Sequence, residues 1–283
     1  VPALFTAARR RRWSAPPLIM GLAVLGGAAG CDDAAPAPRA VSSEIRGFDF
    51  GAAEWVDAMS ASTVQLTGGR ARRAPAAAWG GMSWQMLGPS AYLDLDADGD
   101  EDAAVGLHSH GGQMFSFAWY IWLWQDGRAV QVRRPIAETS RCAGPIDSVT
   151  ATPAGFQVRM LITEMGRDDC AGGGSVPVTY VVGIRDGWPV RVAPDFGPIE
   201  TCNPHELTVP LSPPSAVQLR TAPDDAAPPI GSPARYATVL TTELAVSPYL
   251  SAQERGDWLL VTAVAAGGHR RCGWARADQV LPG

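Results

Sequence analysis

The sequence predicts a mainly β, all-β protein, and three observations predict it. Apolar runs are short and bounded by Gly, Pro and Asp, the pattern of strands closed by turns. Two Asp-Gly pairs, in Gln125-Asp126-Gly127-Arg128 and Arg185-Asp186-Gly187-Trp188, separate extended runs and mark hairpins. No long stretch keeps a clean 3.6-residue period.

Each element follows from these signals. The predicted strands are 63–66, 82–87, 91–95, 103–107, 115–124, 130–133, 156–162 and 178–185. A helix is expected only over 49–59, where Phe50, Ala53 and Val56 or Asp57 fall on adjacent turns. The run from Phe115 to Trp124 is apolar enough for burial on both faces, which puts Trp119, Tyr120, Trp122 and Trp124 in the core. Pro194, Pro198, Pro204, Pro210, Pro213 and Pro214 then break the pattern, since proline can neither continue a helix nor sit inside a central strand. A domain boundary is expected near Pro210, dividing a β-rich domain over 44–209 from a smaller one over 210–283.

The N-terminus reads as an export leader. Arg9, Arg10, Arg11 and Arg12 precede an apolar run from Leu18 to Gly30, which ends in small residues before Cys31. The run is about 13 residues, short of the 18 or more of a membrane-spanning helix. Ala28-Ala29-Gly30-Cys31 resembles the lipobox of bacterial lipoproteins, with Ala28 where Leu is usual. That resemblance implies cleavage before Cys31, its lipidation, and a chain anchored to a bacterial membrane and facing the periplasm. The alternative is a secreted or soluble periplasmic protein. Residues 32–43, rich in Ala, Pro and acidic groups, read as a flexible tether.

Charge and cysteine usage fit the same compartment. The formal net charge of −5 becomes −9 once the four leader arginines are removed, which leaves no overall positive field for nucleic acid. Beyond Cys31 four cysteines remain, an even number that in an exported chain implies two disulfides. Of the three pairings, Cys142 with Cys170 and Cys202 with Cys272 is preferred. The first closes a Gly-rich segment between strands, and the second ties the interdomain segment to the last domain. No C-x-x-C spacing supports a zinc site.

One loop carries metal chemistry. In Asp94-Leu95-Asp96-Ala97-Asp98-Gly99-Asp100-Glu101-Asp102, carboxylates at positions 1, 3, 5 and 9 can converge on a hard cation, and Gly99 permits a sharp turn. Like charges this close repel without a counter-ion. The expected ligands are Asp94, Asp96, Asp98 and Asp102 with the backbone carbonyl of Asp100, and the expected ion is a structural calcium. Position 12 is Val105, and the flanks look extended, unlike an EF-hand. The loop resembles the D-x-D-x-D-G-x-x-D calcium loops of FG-GAP and VCBS-type repeats, which join two strands. A single copy implies the loop and its cation, not a propeller.

His108 and His110 lie two apart, on one side of any strand. No HExxH, GxSxG or SxxK motif accompanies them. A pair of acids such as Glu138 and Glu164 has the residue types for glycoside hydrolysis, but no spacing selects it.

The last domain carries the broadest family likeness. Leu219-Arg220-Thr221-Ala222-Pro223, then Gly256-Asp257-Trp258-Leu259-Leu260-Val261, then Cys272-Gly273-Trp274-Ala275, resemble in order the L-R-x-x-P, G-x-W-x-x-V and G-W-V segments of bacterial SH3-like (SH3b) domains. The resemblance implies a small β-barrel, with Trp258, Leu260, Val264 and Trp274 as core. Residues 237–249 are Thr-rich and lack the family's usual middle strand. Family members bind cell-wall peptides, glycans or a protein, so Tyr236, Tyr249 and Trp274 are the contacts the likeness implies. The functional expectation is a non-catalytic envelope lipoprotein that binds or scaffolds peptidoglycan or an envelope protein. The alternatives are a wall- or glycan-acting hydrolase with a targeting domain, and an inhibitor or regulator of another exported protein.

Overall fold

The computed structural model describes residues 40–74, 81–164, 166–170, 172–247 and 256–281, and these are mainly β. The leader, Cys31, most of the expected tether and Tyr249 lie outside the described residues. Strands β1 (Glu54–Asp57) and β2 (Ser62–Gln65) form a hairpin. Strands β3 (Arg70–Arg73), β4 (Met82–Leu93), β5 (Asp102–Gly111), β6 (Met114–Gln125) and β7 (Arg128–Gln131) pair antiparallel in sequence order, and β8 (Ala137–Ser140) pairs with β6. A second antiparallel meander contains β9 (Ile146–Thr152), β10 (Gly155–Ile162), β11 (Val176–Arg185) and β12 (Trp188–Ala193). A third contains β13 (Val209–Leu211), β14 (Thr238–Thr241), β15 (Trp258–Val264) and β16 (Arg270–Arg276).

The central sheet is buried on both faces, as the apolar run of β6 requires. Ala103, Val105, Leu107, Ala118, Tyr120 and Trp122 join one core with Ile45, Phe50, Trp55 and Trp84. Ala104, Ile121 and Leu123 join another with Val149, Phe156, Val158 and Val182 of the second meander. Alternation along β5 and β6 therefore sorts residues between two apolar faces rather than between core and water. Both Asp-Gly hairpins form as the sequence predicts. Asp126 and Gly127 have φ of 52° and 73°, Asp186 and Gly187 have 53° and 78°, the paired positive values of a type I′ turn.

Several expectations are corrected. The helix over 49–59 is instead a 3-10 turn, Phe50–Ala52, followed by β1. The Asp49 carboxylate accepts the Ala52 N–H at 3.1 Å, which holds the chain in a turn, and Trp55 and Asp57 then point inward on alternate strand positions. The two predicted strands at 82–87 and 91–95 are one strand, β4, whose register to β5 shifts between Leu87 and Ala91. The end of the expected tether is tied down: the Ser42 N–H donates to the Gly99 carbonyl, and the Glu101 N–H to the Ser42 carbonyl, each at 2.8 Å.

In the C-terminal sheet the core uses the opposite face from the one expected. Leu259, Val261, Ala263 and Ala275 are buried with Val217, Leu219 and Val239, whereas Trp258, Leu260, Val264 and Trp274 are only half-buried. A one-residue shift in strand phase exchanges every inward for every outward side chain. The Thr-rich middle does form a strand, β14, with Val239 inward and completely buried. The segment Leu219–Thr221 runs beside β16, with Arg220 and Trp274 exchanging backbone hydrogen bonds of 2.8 and 2.9 Å.

Both disulfides form in the preferred pairing, Cys142–Cys170 and Cys202–Cys272. They close segments of 28 and 70 residues. In the chain-entropy picture these closures contribute about 3.5 and about 4.4 kcal/mol respectively.

Candidate functional site: the acidic loop and its surroundings

The loop between β4 and β5 brings three carboxylates together. One oxygen from each of Asp94, Asp96 and Asp102 lies within 4.8 Å of the others, the one such group of metal-ligating side chains among the described residues. Ala97 (φ 63°) and Gly99 (φ 99°) supply the left-handed positions that fold the chain back on itself. Asp102, the first residue of β5, is completely buried and fixed at both oxygens: Oδ2 accepts the Leu95 N–H at 2.9 Å and Oδ1 the Trp124 N–H at 3.0 Å. Burial pushes its carboxyl up to about 7, against the lowering effect of those two N–H groups, and Asp96 and Asp98 add to the rise. Burial, then the charges of Asp98 and Asp94, also raise the Asp96 carboxyl above its ordinary value.

Asp94 Oδ1 is shielded from solvent and has no hydrogen-bond partner. A buried carboxylate oxygen without a donor is costly to leave unmade. An all-oxygen set that includes such an orphan fits a hard divalent cation. The carboxylates of Asp98 and Asp100 do not join the three. The Asp98 Oδ1 accepts the Asp100 N–H at 2.9 Å, and Asp98 donates its own N–H to Asp96 Oδ1 at 3.3 Å, so both shape the turn.

The loop is braced from the N-terminal side. Besides the Ser42 bonds, Arg46 grips Glu101, with Nη2 2.8 Å from Oε1, and its guanidinium lies 4.7 Å from the centre of the Tyr92 ring. The paired guanidinium holds the Glu101 carboxyl below its ordinary value.

The remaining candidates are placed as follows. His108 and His110 do share one side of β5, but His108 stacks on Phe117 with ring centres 4.4 Å apart and an interplanar angle of 9°. Glu138 accepts from the Ser116 hydroxyl and Glu164 pairs with Arg167. Tyr236 is half-buried against the C-terminal core. The Trp274 indole N–H donates to Glu200 Oε2 at 3.0 Å, while the other Glu200 oxygen pairs with Arg134. Glu200 therefore links the β7–β8 connection of the central sheet to β16, two residues before Cys202 makes its disulfide.

Sequence reasoning missed the buried carboxylate of Asp57. Asp57, 1% exposed, accepts from Ser109 Oγ at 2.8 Å, Trp84 Nε1 at 3.0 Å and the Ser60 N–H at 3.1 Å. Its partners come from three separate elements, so no local spacing announces it. Its role is to seat the β1–β2 hairpin on the central sheet.

The fold and this loop define an all-β, doubly disulfide-bonded protein with a candidate cation site at a strand-to-strand turn. No protein-family model matches the chain, no curated protein matches it, and no solved structure matches it.

Proposed function

We propose that this is an exported, lipid-anchored, non-catalytic protein of the bacterial cell envelope that binds or scaffolds, with a structural calcium ion in the Asp94–Asp102 loop. The observation that carries the reading is the pairing of all four cysteines beyond Cys31 into two disulfides, which persist in oxidising compartments outside the cytoplasm. The leader and its lipobox-like end supply the membrane anchor at Cys31. Asp94, Asp96 and Asp102 would hold the calcium, and the ion would pin β4 to β5 and stabilise the fold by linkage. Peptidoglycan is the partner that the SH3-like resemblance suggests, with an envelope protein as the other.

Expression with the native leader, followed by fractionation, tests the anchor. The wild type is expected in the membrane fraction, and Cys31→Ser in the soluble extracytoplasmic fraction. Retention of both in the cytoplasm would sink the export reading. Co-sedimentation of the mature protein with purified peptidoglycan tests the partner, and a folded protein left wholly in the supernatant removes the wall from the proposal.

A further inference from the structure

A cleft of about 700 Å³ opens between β12 and the start of β16, and its charge runs against that of the chain. Arg191, Arg270 and Arg271 line it, with His269 beside them, against the single acid Asp195. The whole chain is net negative, at −5. Such a local excess of guanidinium groups in a concave site focuses a positive potential.

Arg191 is the centre of this arrangement. It stands on β12, half-buried, and its backbone exchanges hydrogen bonds of 3.0 Å in both directions with Gly197. Its Nε donates to the Asp195 carbonyl at 3.1 Å. Its Nη2 lies so close to Gly197 that a Cβ built there would approach it to 2.9 Å, so the glycine makes room for the guanidinium. No carboxylate lies within 4.0 Å of it among the described residues, and burial lowers its affinity for the proton. The charges of Asp195 and Glu200 favour its protonated form from beyond ion-pair distance. A half-buried guanidinium held by its Nε, with no carboxylate in direct contact, leaves donors that an oxyanion would satisfy.

The opposite wall supplies further donors and an apolar surface. Arg270 and Arg271 are exposed and make no ion pair among the described residues, and Arg271 leans over Gly231, where a Cβ would meet its Nη1 at 2.7 Å. Phe196 and Leu207 line the same cleft. The Cys202–Cys272 disulfide is also in the lining, so the two walls are covalently joined. The volume falls in the range of small-molecule sites.

We infer that this cleft binds the oxyanion head, carboxylate or phosphate, of a small amphipathic ligand, with Arg191 as the anchoring contact. The guanidinium fork matches either head in a bidentate fashion, and the apolar wall takes the ligand's body. This inference stands whether or not the protein binds the cell wall.

Titration calorimetry of the mature protein with phenyl phosphate, benzoate and neutral benzyl alcohol tests it. At least one anion is expected to bind and benzyl alcohol is not. Stronger binding of phenyl phosphate would indicate a phosphorylated ligand, and stronger binding of benzoate a peptide or sugar acid. Arg191→Gln is expected to weaken binding by about tenfold or more, and Arg128→Gln, on the exposed hairpin turn, to leave it unchanged. Should Arg191→Gln fail to fold, the double variant Arg270→Gln/Arg271→Gln on the exposed strand is expected to weaken binding in its place. Absence of binding by both anions at millimolar concentration overturns the inference, as does binding that is insensitive to the variants that fold.

Discussion

Strands β4 and β6 of the central sheet run twelve residues each, whereas β15 and β16, the longest of the C-terminal sheet, run seven. The cores differ in the same sense. The central sheet packs Trp55, Trp84, Tyr120 and Trp122 against one face and Phe156 and Tyr180 against the other. Among the described residues, the C-terminal core is made of Val, Leu, Ile and Ala, with no fully buried aromatic ring. A small aliphatic core stabilises a domain only marginally. What compensates is external: a disulfide to Cys202, and the Glu200 carboxylate shared between Arg134 and the Trp274 indole. The upstream body joins a large aromatic core to a disulfide of its own, and the C-terminal sheet relies on being fastened to that body.

The largest effect is expected where packing alone acts. Trp55 is completely buried and meets the Trp122 ring edge-on at 4.9 Å. Trp55→Ala should cost about 3–5 kcal/mol, read as a lowered midpoint in urea denaturation. A loss well under 1 kcal/mol would mean that the aromatic core is not what holds the upstream body.

Next comes the fastening. Cys202→Ser/Cys272→Ser should cost about 4 kcal/mol, and hydrogen exchange should show the loss concentrated in β14–β16. The double variant Cys142→Ser/Cys170→Ser should cost about 3.5 kcal/mol and leave β14–β16 protected. Equal deprotection of both regions by either pair would erase the contrast between them.

The same contrast explains what the sequence could and could not reveal. The Asp-Gly turns were legible because a two-residue turn depends only on its own φ angles, and the acidic loop because its carboxylates are spaced along one short segment. The burial of β6 on both faces was legible from composition alone. The inward face of β15 was not. Trp258, Leu260 and Val264 on one side and Leu259, Val261 and Ala263 on the other are both apolar, so alternation offers no choice. The choice is made by Glu200 and Cys202, distant in sequence, which claim the Trp274 and Cys272 side of β16. β1 was hidden because four residues are too few for a period. The arginine cleft was hidden because Arg191 lies far along the chain from Arg270 and Arg271.

Calcium should sharpen the comparison by acting on the upstream body only. At a hundredfold excess over Kd it should stabilise by about 2.7 kcal/mol, seen as a higher Tm in calcium than in EGTA. Asp96→Asn should abolish the difference, and Trp274→Ala should preserve it. A Tm indifferent to EGTA would leave the loop as an acidic turn without an ion.

Replacing Glu200 with Gln keeps its shape but removes the charge that Arg134 faces. The expected cost is about 1.5 kcal/mol, toward the low end because both side chains retain partial exposure. Because Glu200 sits beside the disulfide, the loss should be larger when Cys202 and Cys272 are also replaced, and a double-mutant cycle measures that coupling.

The smallest effect is a pH dependence in the loop closed by Cys142–Cys170. The Asp168 carboxylate accepts the Glu164 N–H at 2.8 Å, the Ser175 hydroxyl at 2.9 Å and the Ser175 N–H at 2.9 Å. These bonds, that from Glu164 foremost, hold its carboxyl below the ordinary value. The unfolded chain thus takes up the proton first as pH falls. The contribution of Asp168 to stability is complete above the ordinary carboxylate range and is lost as pH drops below about 4 toward the depressed value. Hydrogen exchange of the Glu164 and Ser175 amides, corrected for the intrinsic pH dependence, should therefore show protection falling in that window. Asp168→Asn should remove the dependence while leaving β15 and β16 unaffected. The same acid-sensitive profile in Asp168→Asn would assign it to another carboxylate.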